Sequence, residues 1–270
     1  MLVQALAGAL LAATSLTLPA GDGKSVPASW HAAPDASEVA RVPVIVLIAD
    51  AGKSRDDWKK VAKELNAAGL SVLAIDARAI AATDPYGVAV ADVAAALKWL
   101  GARKDVNADR VLVAGAGQGA MVALAAAASD VSDVPIAGLA LVSPSLDADR
   151  LDDKTALADY GKRPFFVAVS KGDKRSSMSA LVLEGNAMGP KKIHISEGSR
   201  KGAELVTNDA GSLAAFVTWA KQASGLEQPA APCATPRRRR RGRTSSSCRR
   251  GSSARCRAAR RLRGGSRSCA

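Results

Sequence analysis

The sequence predicts an α/β protein with a mostly parallel, doubly wound sheet and helices on both faces. First, apolar runs of strand length alternate with helix-length segments whose apolar residues recur every three or four positions. Second, the strand runs are apolar throughout, as expected for parallel strands buried on both faces. Third, residues 115–119 read Gly-Ala-Gly-Gln-Gly and lead directly from an apolar strand into a helix of small residues.

The domain is predicted over residues 41–226 and opens with a strand at 42–48. A helix is predicted next at 54–68, because Ser54 begins a capping pattern and Gly69 ends the helix. Five later apolar runs predict strands at 70–76, 110–114, 136–143, 164–170 and 191–196. Helical periodicity predicts further helices at 88–100, 118–128 and 213–223.

Residues 1–20 are apolar and end in Leu18-Pro19-Ala20, a pattern typical of a secretory signal peptide. No Lys or Arg precedes the apolar run, which is expected if the start lies inside a longer signal. The alternative is a buried N-terminal helix. Residues 21–40 are expected to form a linker, and the signal predicts a periplasmic or secreted protein without a membrane span after cleavage.

Residues 229–270 form a tail with fourteen arginines, no acidic residue and all four cysteines. The fourteen positive charges of the tail exceed by one the formal net charge of +13 of the whole chain. The rest of the chain therefore carries about one net negative charge. Such a tail can bind nucleic acid or an anionic surface through phosphate contacts, but it lacks aromatic residues for base stacking. Its eight residue types are all encoded by G/C-rich codons, which favours a shifted reading frame over a genuine basic tail. The cysteine spacing fits no zinc site.

The 115–119 segment has the strand–turn–helix context of the nucleophile elbow G-x-S-x-G, with Gly117 where the serine would stand. Residues 42–224 resemble the α/β-hydrolase superfamily, in particular the dienelactone-hydrolase or bacterial esterase type. The resemblance rests on matching stretches at 44–48, 54–58, 73–78, 107–111, 162–164 and 170–173.

The resemblance implies a serine, an acidic residue and a histidine acting in that chain order. The corresponding positions are Gly117 for the nucleophile, Asp173 for the acid and Lys201 for the histidine. The oxyanion-hole region corresponds to Ala49 and Asp50 together with Gln118. The triad is therefore degenerate, and Asp173 is expected to form an ion pair with Lys201.

The changed positions predict a pseudoenzyme, an exported domain that binds a small molecule or a protein and uses no cofactor. Removing a member of such a triad costs several orders of magnitude in rate. One alternative is a carboxylic-ester or lactone hydrolase with divergent catalytic residues. A second is binding to nucleic acid or another anionic surface through the arginine-rich tail.

Other side chains that could act in catalysis or bind a metal ion are more simply interpreted as structural or surface residues. The two histidines, His31 and His194, are expected to be structural or exposed, and Ser143 and Ser145 flank Pro144 in a predicted turn. The carboxylates that end strands would bind a hard cation only if they converged, so no metal site is expected; they are Asp50, Asp76 and Asp173. The basic loop residues are expected to lie at the surface; they are Lys171, Lys174 and Arg175.

Overall fold

The computed structural model describes residues 13–78, 86–129, 131–146 and 151–227, and its centre is one eight-stranded sheet. The strands lie in the order β1-β2-β4-β3-β5-β6-β7-β8. Their bounds are β1 Thr14–Pro19, β2 Ser25–His31, β3 Val42–Ile48, β4 Ser71–Ile75, β5 Val106–Ala116, β6 Ile136–Val142, β7 Phe165–Ser170 and β8 Lys191–Ser196.

The six strands from β3 to β8 are parallel, whereas β1 pairs antiparallel with β2 and β2 pairs antiparallel with β4. The carboxyl ends of the parallel strands therefore meet at one edge of the sheet, where ligands bind in such folds. The predicted fold class, a mostly parallel sheet with helices on both faces, is confirmed.

The helices form one layer on each face of the sheet. Alternate residues of each central strand point to opposite faces, so β3 contributes Val44 and Val46 to one core and Ile45 and Leu47 to the other. The first core is covered by α2 Gly87–Gly101, α3 Gln118–Ala128, α4 Asp153–Tyr160 and α5 Lys174–Asn186. The second is covered by α1 Lys59–Ala67, α6 Ala203–Asn208 and α7 Ala210–Ala223.

The expected linker over 21–40 needs correction, because β2 lies within it. Val26 and Ala28 are fully buried in the first core, and the strand hydrogen-bonds along β4. The first four residues of β2 alternate between exposed and buried and the last three are buried or half-buried, which is the burial of a strand rather than of a linker.

Part of the predicted signal peptide also lies in the sheet, since Leu18 of β1 is fully buried. Export stays a prediction, and cleavage after Ala20 would remove β1. The first twelve residues and the whole tail at 229–270, with its cysteines, lie outside the described residues. In the described ranges, no helix combines the length and the apolarity needed to cross a membrane.

Three helices, α4, α5 and α6, were not predicted. The apolar periodicity of α4 and α5 is weak, and each of these two begins at an aspartate that caps its first turn, Asp152 for α4 and Asp173 for α5. The predicted helix 54–68 is divided into a 3-10 turn, Arg55–Trp58, and α1.

Candidate active site

The sharp turn between β5 and α3 places Gly117 at the carboxyl edge of the sheet, with a φ of 54° and its N–H donating to the carbonyl of Val142 at 2.9 Å. Positive φ values strain residues that carry a β-carbon, so glycine suits the position. Gly115 and Gly119 allow close packing, because a β-carbon on Gly115 would overlap the backbone of Gly119, and one on Gly119 would overlap the carbonyl of Ala49. The turn therefore has the backbone of a nucleophile elbow.

The carboxylate of Asp50, which follows β3, lies against this turn. Its Oδ1 accepts hydrogen bonds from the backbone N–H of Gln118 and from that of Ala51, each at 2.8 Å. A β-carbon built on Gly117 would overlap the carboxyl carbon and both carboxylate oxygens of Asp50. The Asp50 carboxylate therefore occupies the space in which the side chain of residue 117 would lie.

Asp173 follows β7, is 4% exposed and caps α5. Its Oδ2 accepts a hydrogen bond from Ser176 Oγ at 2.7 Å, and its Oδ1 lies 3.6 Å from Lys201 Nζ. The ion pair expected between Asp173 and Lys201 is thus present, with the lysine side chain two-thirds exposed. The ammonium group is tethered at the site but remains accessible to a ligand.

Three loops meet at this edge of the sheet. The Lys201 loop is tied to the end of β7, because Ser170 Oγ donates to the carbonyl of Arg200 at 2.6 Å and Gly172 N–H donates to that of Gly198 at 2.9 Å. Gly202, next to Lys201, has a φ of 56°, and a β-carbon there would lie 3.5 Å from Asp50 Oδ2. The structure therefore brings the elbow and the loops that carry Asp50 and Lys201 to the same edge of the sheet, and Lys201 links this edge to Asp173.

Ser143, at the end of β6, is the one non-glycine residue with positive φ in the described ranges, at 49°. It is buried, and its Oγ has no hydrogen-bond partner among the described residues. It lies beside the elbow, since the preceding carbonyl of Val142 accepts the Gly117 N–H. Ser145, which follows Pro144, is only half-buried.

The remaining candidates have structural partners. Asp76 accepts hydrogen bonds from the backbone N–H and the guanidinium of Arg55, and Lys171 forms an ion pair with Glu197 at 2.5 Å. Both histidines have pKa values below the ordinary 6.5, chiefly because burial disfavours the charged ring. Lys59 adds to the shift at His31, whereas Asp209 opposes the shift at His194.

The carboxylates of Asp50, Asp76 and Asp173 do not form a common cluster. Over the part of the chain that the structure describes, no group of three or more His, Cys, Asp or Glu side chains is placed to hold a metal ion. Lys174 and Arg175 are exposed at the start of α5.

Comparison with known proteins gives the same fold. A family model described as alpha/beta hydrolase fold matches residues 68–188, a range that includes the elbow and Asp173. No curated protein sequence matches the chain. The protein therefore has the α/β-hydrolase fold, as its sequence resemblance implied.

Solved esterase structures resemble this chain. One is from the study of two fungal esterases of Rhizomucor miehei, with 16% identity, 80% of this chain and 84% of that chain covered, and a TM-score of 0.62. The hyperthermophilic esterase of the archaeon Pyrobaculum calidifontis has 18% identity, the same coverages and a TM-score of 0.57. The esterase Est22 has 18% identity, 82% and 83% coverage, and a TM-score of 0.60.

These comparisons correct one prediction made from the sequence. The main expectation, a pseudoenzyme that has lost catalysis, is wrong, because the family match and the esterases among the similar structures favour the alternative of an ester hydrolase with divergent residues. At the elbow, position 117 has no hydroxyl, and the carboxylate of Asp50 lies in the space that a side chain there would fill.

Proposed function

We propose that this protein hydrolyses carboxylic esters and lactones, with the Asp50 carboxylate as the general base that activates water. One observation carries the proposal: the carboxylate lies in the space of the missing side chain of residue 117, at the carboxyl edge of the sheet. A positioned carboxylate can accept a proton from a water molecule as that water attacks a carbonyl carbon.

The hydrogen bonds of Asp50 suit this role. The backbone N–H groups of Gln118 and Ala51 both donate to Oδ1 and hold the carboxylate in one orientation. Oδ2 then takes a proton from water while the water oxygen bonds to the carbonyl carbon of the ester. When the tetrahedral intermediate collapses, the bond to the alkoxide breaks, and Asp50 returns the proton to that leaving group.

The developing negative charge on the carbonyl oxygen needs a partner other than Gln118, whose N–H already donates to Asp50. The ammonium group of Lys201 provides a positive charge, and Asp173 holds it at 3.6 Å. A cation aimed at the charge that forms in the transition state lowers the barrier. Lys201 thus acts as the electrostatic group and Asp173 as its positioning residue.

The resemblance to dienelactone hydrolases and bacterial esterases supports small esters and lactones as the substrate class. In this chain Gly117, Asp173 and Lys201 occupy the positions of that family's triad, and Asp50 acts as the general base in place of the histidine. This assignment requires no cofactor, because water is the nucleophile.

The test is hydrolysis of p-nitrophenyl butyrate and of the aromatic lactone dihydrocoumarin by the full chain. Replacing Asp50 with Asn keeps the shape and the two amide contacts of Oδ1 but removes the base, so we expect kcat to fall by roughly 100-fold or more. Lys201→Met should also lower kcat, because it removes the cation.

Asp57→Asn is the matched control, since Asp57 is an exposed aspartate in the 3-10 turn and shares no hydrogen bond with Asp50 in the described residues. It should hydrolyse both substrates at the unaltered rate. The proposal is overturned if the unaltered chain hydrolyses neither substrate, or if Asp50→Asn retains its full rate.

A further inference from the structure

A cavity lies at the amino edge of the sheet, opposite the candidate active site. Its volume is about 250 Å³, and it is formed where β7 and β8 begin and α7 ends. The apolar residues that line it are Pro164, Phe165, Pro190, Trp219 and Ala223. Since β7 has six residues, the cavity lies about 20 Å from the carboxyl edge of the sheet. A small ligand bound in this amino-edge cavity would therefore not reach the candidate active site.

The apolar wall of the amino-edge cavity is formed before any ligand binds. Trp219 is 4% exposed, and its ring packs on that of Phe166 with the centroids 5.6 Å apart. Proline has no backbone N–H, so Pro164 and Pro190 offer a ligand no donor. The carbonyl of Pro190 accepts the N–H of Phe165 at 2.8 Å. A ligand therefore meets a fixed apolar wall, and its polar end has to bind elsewhere.

The polar side chains at the rim of the amino-edge cavity are those of Lys192 and Gln222. Ile193 packs into the core beneath α5, whereas a β-carbon on Gly211 of α7 would lie 3.9 Å from the Cε1 atom of His194. Because alternate residues of a strand share a face, Lys192 lies with His194 on the α7 side. Neither Lys192 nor Gln222 has a side-chain hydrogen bond or ion pair with another residue in the described ranges. The rim thus provides one uncompensated positive charge and one amide donor.

The neighbouring Lys191 has a different role. Its ammonium group donates to the carbonyl of Glu184 at 2.5 Å and to that of Ala187 at 3.3 Å, at the end of α5. It therefore lies on the other face of β8. No aspartate or glutamate lines the amino-edge cavity in the part of the chain that the structure describes. The charge of Lys192 is thus the one that a ligand there would meet.

We propose that the amino-edge cavity binds a small carboxylic acid with an aromatic body, its ring against Trp219 and the prolines and its carboxylate on Lys192 and Gln222. A cavity of about 150 Å³ is sufficient for benzene, so this one has room for a ring with a short side chain. Charge-assisted hydrogen bonds from an ammonium group to a carboxylate are the strong ones. The proposal goes beyond the proposed function and does not depend on it.

The first experiment is titration calorimetry of the full chain with hydrocinnamate, in which two methylene groups join a phenyl ring to a carboxylate. We expect binding at one site, and the uncharged amide of the same acid should bind at least about tenfold more weakly. Lys192→Met should raise the dissociation constant of hydrocinnamate by about tenfold or more. Lys191→Met is the matched control, because it removes the same charge from the opposite face of β8, and it should bind as the unaltered chain does.

The second experiment locates the bound acid. Ala223→Leu adds a larger side chain to the wall of the amino-edge cavity and should abolish binding, since leucine suits a helix and fills the space. A carboxylic acid is also a product of ester hydrolysis, so Lys201→Met tests for binding at the candidate active site. This variant should retain the binding of hydrocinnamate.

Three results would each overturn the proposal. They are an unaltered chain that does not bind hydrocinnamate, a Lys192→Met variant that binds it with full affinity, and a loss of binding in Lys201→Met. The last result would place the acid at the candidate active site instead, which would leave the proposed function intact.

Discussion

The carboxylate of Asp50 and the bare α-carbon of Gly117 share one space at the carboxyl edge of the sheet. Asp50 can accept the N–H of Gln118 at 2.8 Å only because residue 117 has no side chain in between. The two positions therefore form one unit, and a change at either should alter the effect of a change at the other.

Replacing Gly117 with Ser should not by itself produce an efficient serine hydrolase. The new β-carbon overlaps the Asp50 carboxylate, and the φ of 54° is strained for serine. We expect the free energy of unfolding to fall by about 1–3 kcal/mol. Denaturant unfolding and labelling with a fluorophosphonate probe measure the two effects.

Adding Asp50→Gly to that variant should recover part of the stability, and adding Lys201→His should then create labelling by the probe. The coupling between the two substitutions in a double-mutant cycle should be on the order of 1 kcal/mol or more. Additive effects of Gly117→Ser and Asp50→Gly would contradict the shared space.

The places of Gly117, Asp173 and Lys201 in the fold could be predicted from the sequence, whereas the contacts of Asp50 could not. Gly117, Asp173 and Lys201 are placed by local patterns, namely the glycine-rich turn and the loops after apolar strands. Asp50 precedes Gly117 by 67 positions in the chain. Only the parallel pairing of β3 with β5 brings the two turns together, and long-range pairing leaves no local signal.

The capping aspartates allow the role of Asp173 to be separated from its contribution to stability. Asp173→Ala removes the cap of α5 and the partner of Lys201, so it should cost about 1–2 kcal/mol of stability and also lower kcat. Asp152→Ala removes the equivalent cap of α4, where Asp152 accepts from Thr155. It should cost a similar amount of stability and leave ester hydrolysis unchanged. Equal losses of kcat in both variants would exclude the positioning role.

A buried ion pair near the end of β4 should be a major determinant of stability. Asp92 of α2 is fully buried and accepts from the Arg78 backbone N–H at 2.9 Å and from its guanidinium. Arg78→Met leaves that carboxylate buried without its cation, so the free energy of unfolding should fall by about 3–5 kcal/mol.

The matched control for that pair is Lys104→Met, which breaks an exposed ion pair with Glu38. It should change the stability by about 1 kcal/mol or less. Urea unfolding of the two variants provides the comparison, and equal effects would show that the burial of Asp92 does not matter.

The strands β1 and β2 could not be predicted from the sequence, for a different reason. The apolar run before Ala20 fits a signal peptide as well as an edge strand, because both need only a short apolar segment. Only the first four residues of β2 alternate between exposed and buried, and one of them is Pro27, which argues against a central strand. The position next to β1, at the antiparallel border of the sheet, accommodates that proline.

The lowered pKa values of the two histidines predict how the stability of the fold depends on pH. His31 and His194 have lowered pKa values in the folded protein, chiefly through burial, so the unfolded chain takes up protons first as the pH falls. Stability rises with pH wherever the unfolded state binds more protons. The free energy of unfolding should therefore be highest above the ordinary histidine pKa of 6.5 and should fall as the medium becomes more acidic. The carboxylates with lowered pKa values (Asp22, Asp152 and Asp209) lose their contributions only at lower pH, in the range of their ordinary value of 3.8.

Chemical denaturation between about pH 7.5 and pH 5 measures the slope of stability against pH. It should flatten in the His31→Gln/His194→Gln double variant, and a stability that rises on acidification would contradict the burial of the two rings.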